Sequence, residues 1–381
     1  MPSPDATWIE ISKSAIARNV KTIRSLIGES TLLAPCVKSN AYGHGMVGVA
    51  KLLVQNGVDR LCVASIEEAM SLRKNGIRLP ILIIGFVPQA RLPEVLETRS
   101  SIFVHESTTA RTLSRLAQRS NQTVNVHIKV DTGMGRQGLR PSDLPSFIRL
   151  IQRAKGLRVE GIATHFATSD EPEKPRHFLS QLHTFHSLRK GILSSWKEKT
   201  RPLFHCANSA ATLLEPTAHL DMARTGLAVY GYYPSETTRK IVEKKGVHLL
   251  PSLTLKTRIA AVKELPRGAC VSYGCTFTTS RSTKVAILPI GYYDGIDRRL
   301  SSKGFVLIRG ARAPILGRVC MNIIIVDVTR IPGVSQEDEA VIIGRQARAR
   351  IAVEEIATRI GTINYEVTTR IRESMPRVVV S

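Results

Sequence analysis

The chain has 381 residues, 43% hydrophobic and 22% charged, a balance that suits a globular protein and excludes a disordered one. Its longest apolar runs, such as ILIIGFV, are far too short to span a bilayer, and the start MPSPDATWIE lacks an apolar segment, so neither a membrane helix nor a secretory signal is expected. Lys and Arg number 54 against 31 Asp and Glu, a net charge of +23 that favours anions, yet the basic residues are scattered and aromatics are only 5%, so no specific nucleic-acid surface is expected.

From about residue 31 to about residue 231, short apolar runs alternate with segments of helical period. The runs are TLLAPCV, VDRLCVA, PILIIGF, SIFVH, TVNVHIKVD, LRVEGIATH, PLFHCA and HLDMAR, eight strands in all. Between them, MVGVAKLLVQNG, SIEEAMSLRKNG, ESTTARTLSRLAQRS and PSDLPSFIRLIQRAKG carry apolar residues at i, i+3, i+4 and i+7, and several end on Gly as helices do. Strands alternating with helices predict parallel βαβ units, and eight of them fit a closed (β/α)8 barrel, with a doubly wound open sheet as the alternative. Beyond about residue 235, strand-like runs such as PSLTLKTRIAAVKEL and TKVAILPIGYYDG are split by Gly and Pro turns without helices between them. The fold class predicted is α/β: a barrel domain over 1–234 and a mostly β domain over 235–381. The late segment IAVEEIATRIGTINYEVTTRI has helical period, interrupted at Gly361. Six cysteines (Cys36, Cys62, Cys206, Cys270, Cys275, Cys320) form no CxxC pair, so reduced thiols, no zinc site and a cytoplasmic location are expected.

In a barrel of this kind chemistry gathers at the C-terminal ends of the strands. Lys38 follows the first strand, Lys129 and Arg136 the fifth, His165 the sixth, Asn208 and Ser209 the seventh, and Arg224 ends the eighth. A cation-rich rim with one histidine suits an anionic ligand such as a phosphate plus a carboxylate. Ser209 and the backbone N–H groups of TGLAVYG would form the phosphate cradle. Lys38 leads into the turn SNAYGHG, where backbone can approach a ligand closely, so it can be a nucleophile as well as a strand-end solubilising charge. GMGRQG satisfies a dinucleotide-binding pattern, but the next helix starts at Pro141–Asp143, several residues too late. His177, His183 and His186 lie on one helical segment without an H-E-x-x-H pattern and do not read as metal ligands.

VKSNAYGHG resembles the cofactor-lysine motif of the alanine racemases, fold-type III enzymes that use pyridoxal 5′-phosphate (PLP). The resemblance continues in order through HIKVDTGMGRQG, ATHFATSDE, CANSAA, ARTGLAVYG, VSYGCTF, GYYDG, GRVCMN and TINYEV, and so runs the length of the chain. It implies a homodimer with shared active sites that interconverts L- and D-alanine and supplies peptidoglycan synthesis. Lys38 would hold PLP; Tyr42, Ser209, Tyr365 and the backbone at Gly226 and Leu227 would hold its phosphate; Arg224 would face the pyridine nitrogen, with His165 beside it; Asn208 would also bind the cofactor. Tyr273 would be the second base, reaching the site from the other subunit. Arg136, steadied by a Lys129 that family members often carry carbamylated, would position the substrate carboxylate, and Tyr292, Met321 and Asn322 would line the substrate side.

Inverting a carbon centre requires a proton from each face, so two acid/base groups are mandatory. A tyrosine that titrates near 10 needs cations beside it to serve as one of them. A guanidinium does not give up its proton, so Arg224 would leave the ring nitrogen an acceptor and disfavour transamination. Asn322 departs from the usual Asp of the family's MD pair, which would make the pocket mouth more tolerant of a hydroxyl. A serine or broad-specificity racemase is therefore one alternative. A PLP-carrier protein is another, though it would lack a β domain to supply Tyr273.

Overall fold

The computed structural model describes residues 5–381. The chain forms two compact units, one of Ala15–Ala41 with Met46–Leu250, the other of residues up to Ser14, Tyr42–Gly45 and Pro251–Ser381. In this division residues 235–250 lie with the barrel unit. Residues past 234 stay with the barrel because Ser235 Oγ donates to the Asp170 carbonyl at 2.7 Å, and Asn19 exchanges hydrogen bonds with both backbone groups of Leu250 at 2.8 Å. The first strand, β1 (Thr7–Ser12), leaves the barrel unit altogether, since its alternating apolar residues pair elsewhere.

The barrel unit contains β2 (Leu32–Leu33), β3 (Leu61–Val63), β4 (Ile81–Ile83), β5 (Ser101–Val104), β6 (Val124–Lys129), β7 (Leu157–Ala163), β8 (Leu203–His205) and β9 (Met222–Ala223). All eight expected strands are present. β3 to β8 form one parallel sheet in sequence order, and β9 pairs parallel with β2. The ring closes through Val37 N–H to the Cys62 carbonyl at 2.9 Å, and through Asp221 N–H to the Phe204 carbonyl at 3.0 Å. Buried on both faces, these strands are nearly continuous apolar runs, as parallel strands must be when helices cover them. The helices start where local chemistry allows. Ser65 and Glu68 form a capping box for Ile66–Lys74, and Asn208 caps Ser209–Leu214 by accepting from Ala211 N–H at 3.0 Å. A 3-10 turn at Pro141–Asp143 precedes the helix Leu144–Arg153, so GMGRQG opens no helix.

The second unit is mostly β. Its main sheet runs β16-β15-β18-β10-β1-β20, with β19 on β18, from β10 (Leu253–Arg258), β15 (Phe305–Ile308), β16 (Ala311–Pro314), β18 (Glu339–Gln346), β19 (Ala349–Ile351) and β20 (Arg377–Val380). A three-stranded sheet of β11 (Ala261–Leu265), β14 (Thr283–Leu288) and β17 (Ile324–Asp327) packs Val285 with Val271 and Leu316. β12 (Cys270–Val271) and β13 (Phe277–Thr278) make a short hairpin. The late helical segment is two helices, Val353–Ile360 and Asn364–Thr369, parted at Gly361 in the left-handed region (φ 68°), where a glycine costs least.

Candidate active site

Lys38 stands half-buried at the exit of the first barrel strand, and the backbone immediately after it is unusual. Ser39, Asn40, Ala41 and Tyr42 all have φ of 53–54°, one turn of left-handed helix closed by Ala41 N–H to the Val37 carbonyl at 2.9 Å. Non-glycine residues pay roughly 1–2 kcal/mol each for this conformation. It persists because its polar groups are held from outside: Ser39 N–H donates to Glu68 at 2.6 Å, and Asn40 Oδ1 accepts Met46 N–H at 2.8 Å. Glu68 is the same carboxylate that closes the Ser65 capping box, so helix start and lysine turn are fastened together.

Arg224, at the end of β9, is buried. Its guanidinium donates to the Thr164 carbonyl at 2.8 Å, the His205 carbonyl at 3.1 Å, and His205 Nδ1. Among the described residues no carboxylate pairs with it. Around it gather Lys38, Lys129, Arg136 and His165. Burial, then the fields of Arg224, Lys129, Arg136 and Lys38, hold the His165 imidazole well below its usual pKa, so it is neutral. Burial, with Arg224 and Arg136 adding to it, brings the Lys129 amine down to about 7. Arg136 itself is exposed on the loop after β6.

Directly after Arg224 in the chain comes a turn fastened to Ser209. Ser209 Oγ accepts from Gly226 N–H at 2.9 Å and Ala228 N–H at 3.3 Å, where the 3-10 turn Leu227–Tyr230 begins. Thr225 Oγ1, between Arg224 and Gly226, is buried without a hydrogen-bond partner. A buried hydroxyl beside convergent amides is costly unless something accepts from it.

The second unit gathers the remaining candidates on two patches. The β12–β13 hairpin carries Tyr273, 71% exposed, and Ser272 ties it to the 317–323 loop through the Arg318 carbonyl at 2.6 Å. That loop in turn accepts Tyr292 N–H at Cys320 and Tyr293 N–H at Met321, both at 3.0 Å. Tyr273, Tyr292, Met321 and Asn322 therefore share one exposed edge. Tyr42 and Tyr365 sit together elsewhere in the unit, their ring centroids 6.1 Å apart. One expectation fails at the hairpin. Cys270 and Cys275 are not reduced thiols but a disulfide, because the hairpin brings their Cα atoms to 4.9 Å. Cys36, Cys62, Cys206 and Cys320 are free.

Sequence reading missed a buried chain behind Arg224. His205 Nε2 lies 2.8 Å from His127 Nδ1, and His127 Nε2 lies 2.8 Å from Glu160, which Arg60 grips with two nitrogens at 2.7 and 2.8 Å. The available signal was polar alternation in VNVHIKV. In a strand whose odd and even positions face opposite sides, Asn125, His127 and Lys129 share one face, which in a closed barrel is the interior.

Family profiles described as "Alanine racemase, N-terminal domain" and "Alanine racemase, C-terminal domain" match residues 11–234 and 252–379. The chain belongs to the alanine racemase family. It is 42% identical over 380 residues to an alanine racemase of Desulforamulus reducens, covering 98% of each. To an alanine racemase of Methanococcus maripaludis it is 38% identical over 372 residues, covering 97% of this chain and 98% of that one. Among solved structures, alanine racemase of Clostridium difficile superposes with a TM-score of 0.92 at 32% identity, covering 100% of this chain and 97% of that one. The alanine racemase of Bacillus anthracis with bound L-Ala-P gives 0.91 at 35%, covering 100% and 96%. The residues present fit the group that the family uses. A phosphorylated aldehyde needs an amine, an anion cradle and a polar partner for its ring. Lys38, the hydroxyls of Ser209 and Thr225 at the 226–228 turn (Ser209 Oγ accepts two amides and keeps its own proton to donate, and Thr225 Oγ1 is unsatisfied), and Arg224 are such a set.

Proposed function

We propose that this chain interconverts L- and D-alanine with PLP, as a homodimer in which Lys38 of one subunit and Tyr273 of the other act on opposite faces of the substrate Cα. The observation that carries the reading is the crowding of Lys38, Lys129, Arg136 and Arg224 around a neutral His165, beside the amides at Ser209. An anionic ligand makes such an assembly of basic groups favourable, and a phosphate plus a carboxylate matches it.

Lys38 Nζ would hold the cofactor, with Ser209, Gly226, Leu227, Tyr42 and Tyr365 assigned to its phosphate end, His165 to its ring, and Asn208 to cofactor binding as the cap of the helix that Ser209 opens. When bound, PLP supplies the conjugation that makes the substrate's α C–H acidic. The chain's own residues then move the proton. The Lys38 amine takes or returns it at one face of Cα, and the Tyr273 phenol does so at the other. Arg224, a donor only, offers N–H and withdraws no proton from the site. Arg136 orients the substrate carboxylate. A Lys129 amine with a pKa of about 7 is a nucleophile towards CO2. Carbamylation would form an N–C bond, release one proton and leave a carboxylate facing Arg136.

The exposure of Tyr273 favours a role outside its own unit, and a β domain that carries such a phenol speaks against a PLP-carrier reading. Among the described residues no helix is long and apolar enough to cross a membrane. We read a cytoplasmic enzyme whose D-alanine enters peptidoglycan. The test is a visible absorption band in protein purified with PLP, abolished by borohydride, together with D-alanine formation in a coupled assay. The wild type gives both, and Lys38→Ala gives neither. A colourless wild type that takes up no PLP contradicts the proposal.

A further inference from the structure

The hydrogen bonds behind Arg224 leave no freedom in where their protons sit. Arg224 Nη1 is a donor and nothing else, so His205 Nδ1, which it meets, must be an acceptor. A neutral imidazole with a bare Nδ1 carries its proton on Nε2, and His205 Nε2 faces His127 Nδ1 at 2.8 Å. His127 Nδ1 must then accept, and His127 Nε2 must carry a proton, which it donates to Glu160 Oε2 at 2.8 Å. Only an ionised carboxylate ends such a series while also accepting two N–H groups of Arg60 and the Ser101 hydroxyl at 2.5 Å.

The surroundings are built for this arrangement. His127 and His205 are fully buried, and Phe103 packs near both rings, its centroid 6.1 Å from that of His205 and 6.4 Å from that of His127. Residue 161 is glycine where any Cβ would collide with the His127 ring. Burial keeps both imidazoles below their usual pKa. It works against ionisation of Glu160, but the hydrogen bonds from His127 and Arg60 outweigh it and hold that carboxyl well below the usual range. A buried guanidinium without a carboxylate in contact is expensive. Two imidazole dipoles, aligned in one sense, carry the influence of Glu160 to it.

We infer that Glu160 is a positioning residue for racemisation: acting through His127 and His205, it fixes Arg224 as an oriented cationic donor towards the cofactor ring. The inference rests on the PLP-racemase reading for its consequence, but the proton pattern stands by itself. Arg60 and Glu160 are then one end of the catalytic apparatus rather than a bracing ion pair of the barrel.

Neutron diffraction from deuterated crystals of the wild-type protein reads the pattern directly. The expected map has deuterons on Nε2 of both His127 and His205, none on either Nδ1, and none on Glu160. A deuteron on His205 Nδ1, a doubly protonated imidazole, or a protonated Glu160 overturns the inference, whether or not the crystals hold PLP. In parallel, Glu160→Gln should lower kcat for alanine about tenfold, with little change in KM, and should move the visible absorption maximum of bound PLP. A folded, PLP-loaded variant with unchanged kcat and spectrum would reduce Glu160 to a structural ion pair. A wild type that neither binds PLP nor racemises alanine would instead sink the functional reading and leave the deuteron map to decide the relay.

Discussion

Lys129 Nζ has one modest hydrogen bond, to the Val130 carbonyl at 3.3 Å, and among the described residues no ion pair. With the side chain buried, the ammonium form is disfavoured and the pKa falls to about 7. Between about 7 and the ordinary lysine value, the unfolded chain keeps a proton that the folded chain has lost. Raising the pH through that window therefore stabilises the fold, by about 1.4 kcal/mol per pH unit for one such group. Urea unfolding at pH 7 and pH 9 should show this gain in the wild type and its loss in Lys129→Met. Equal slopes would mean that Lys129 does not titrate in the folded chain as a free amine with a lowered pKa. Asn322 poses a question of selectivity at the same scale. It is exposed on the turn where Cys320 N–H meets the Ile323 carbonyl, next to Met321. An amide there can donate to a hydroxyl as a carboxylate cannot. The ratio of kcat/KM for L-serine to that for L-alanine should fall severalfold in Asn322→Asp, and an unchanged ratio would remove Asn322 from specificity.

The element that no pattern rule anticipates is the left-handed turn Ser39–Tyr42. SNAYGHG reads as a loop because Gly, Asn and His cluster there. Nothing in composition says that four successive non-glycine residues will adopt φ near 53°. That conformation is imposed by partners distant in sequence, above all Glu68, and strain of this kind belongs to sites where geometry matters more than stability. Ser39 is exposed, so Ser39→Gly should relieve the local penalty and raise the unfolding free energy by about 1 kcal/mol, while the slackened turn lowers kcat. A destabilised Ser39→Gly would show that the turn is unstrained. The regular elements were legible for the opposite reason. Period 2 against period 3.6, glycine stops and the Ser65 box are local signals, and the eight barrel strands and their helices follow from them. Candidate residues at strand ends, Lys38, Lys129, His165 and Arg224, were equally visible because topology assigns chemistry to those ends. The relay through His127, His205 and Glu160 was not, since it lies inside the barrel and depends on which strands face one another.

At the scale of the whole chain, β1 pairs antiparallel with β10 and parallel with β20, tying both ends of the sequence into one sheet. A contact of such separation leaves no local trace, and so local patterns alone start the barrel at residue 1 and end it at 234. The Cys270–Cys275 bridge escapes them for a related reason, because a hairpin and not a CxxC spacing brings the two together. The proposal of widest reach also lives at this scale: each active site would take its lysine from one subunit and its phenol from the other. Mixing Lys38→Ala with Tyr273→Phe protein, each alone reduced by about 10²–10⁴, tests it after dissociation and reassembly. If the site is shared, each heterodimer regains one intact site, and random pairing returns about one quarter of wild-type racemase activity. If Lys38 and Tyr273 served within a single chain, every site would keep one defect and the mixture would stay as inactive as its parents.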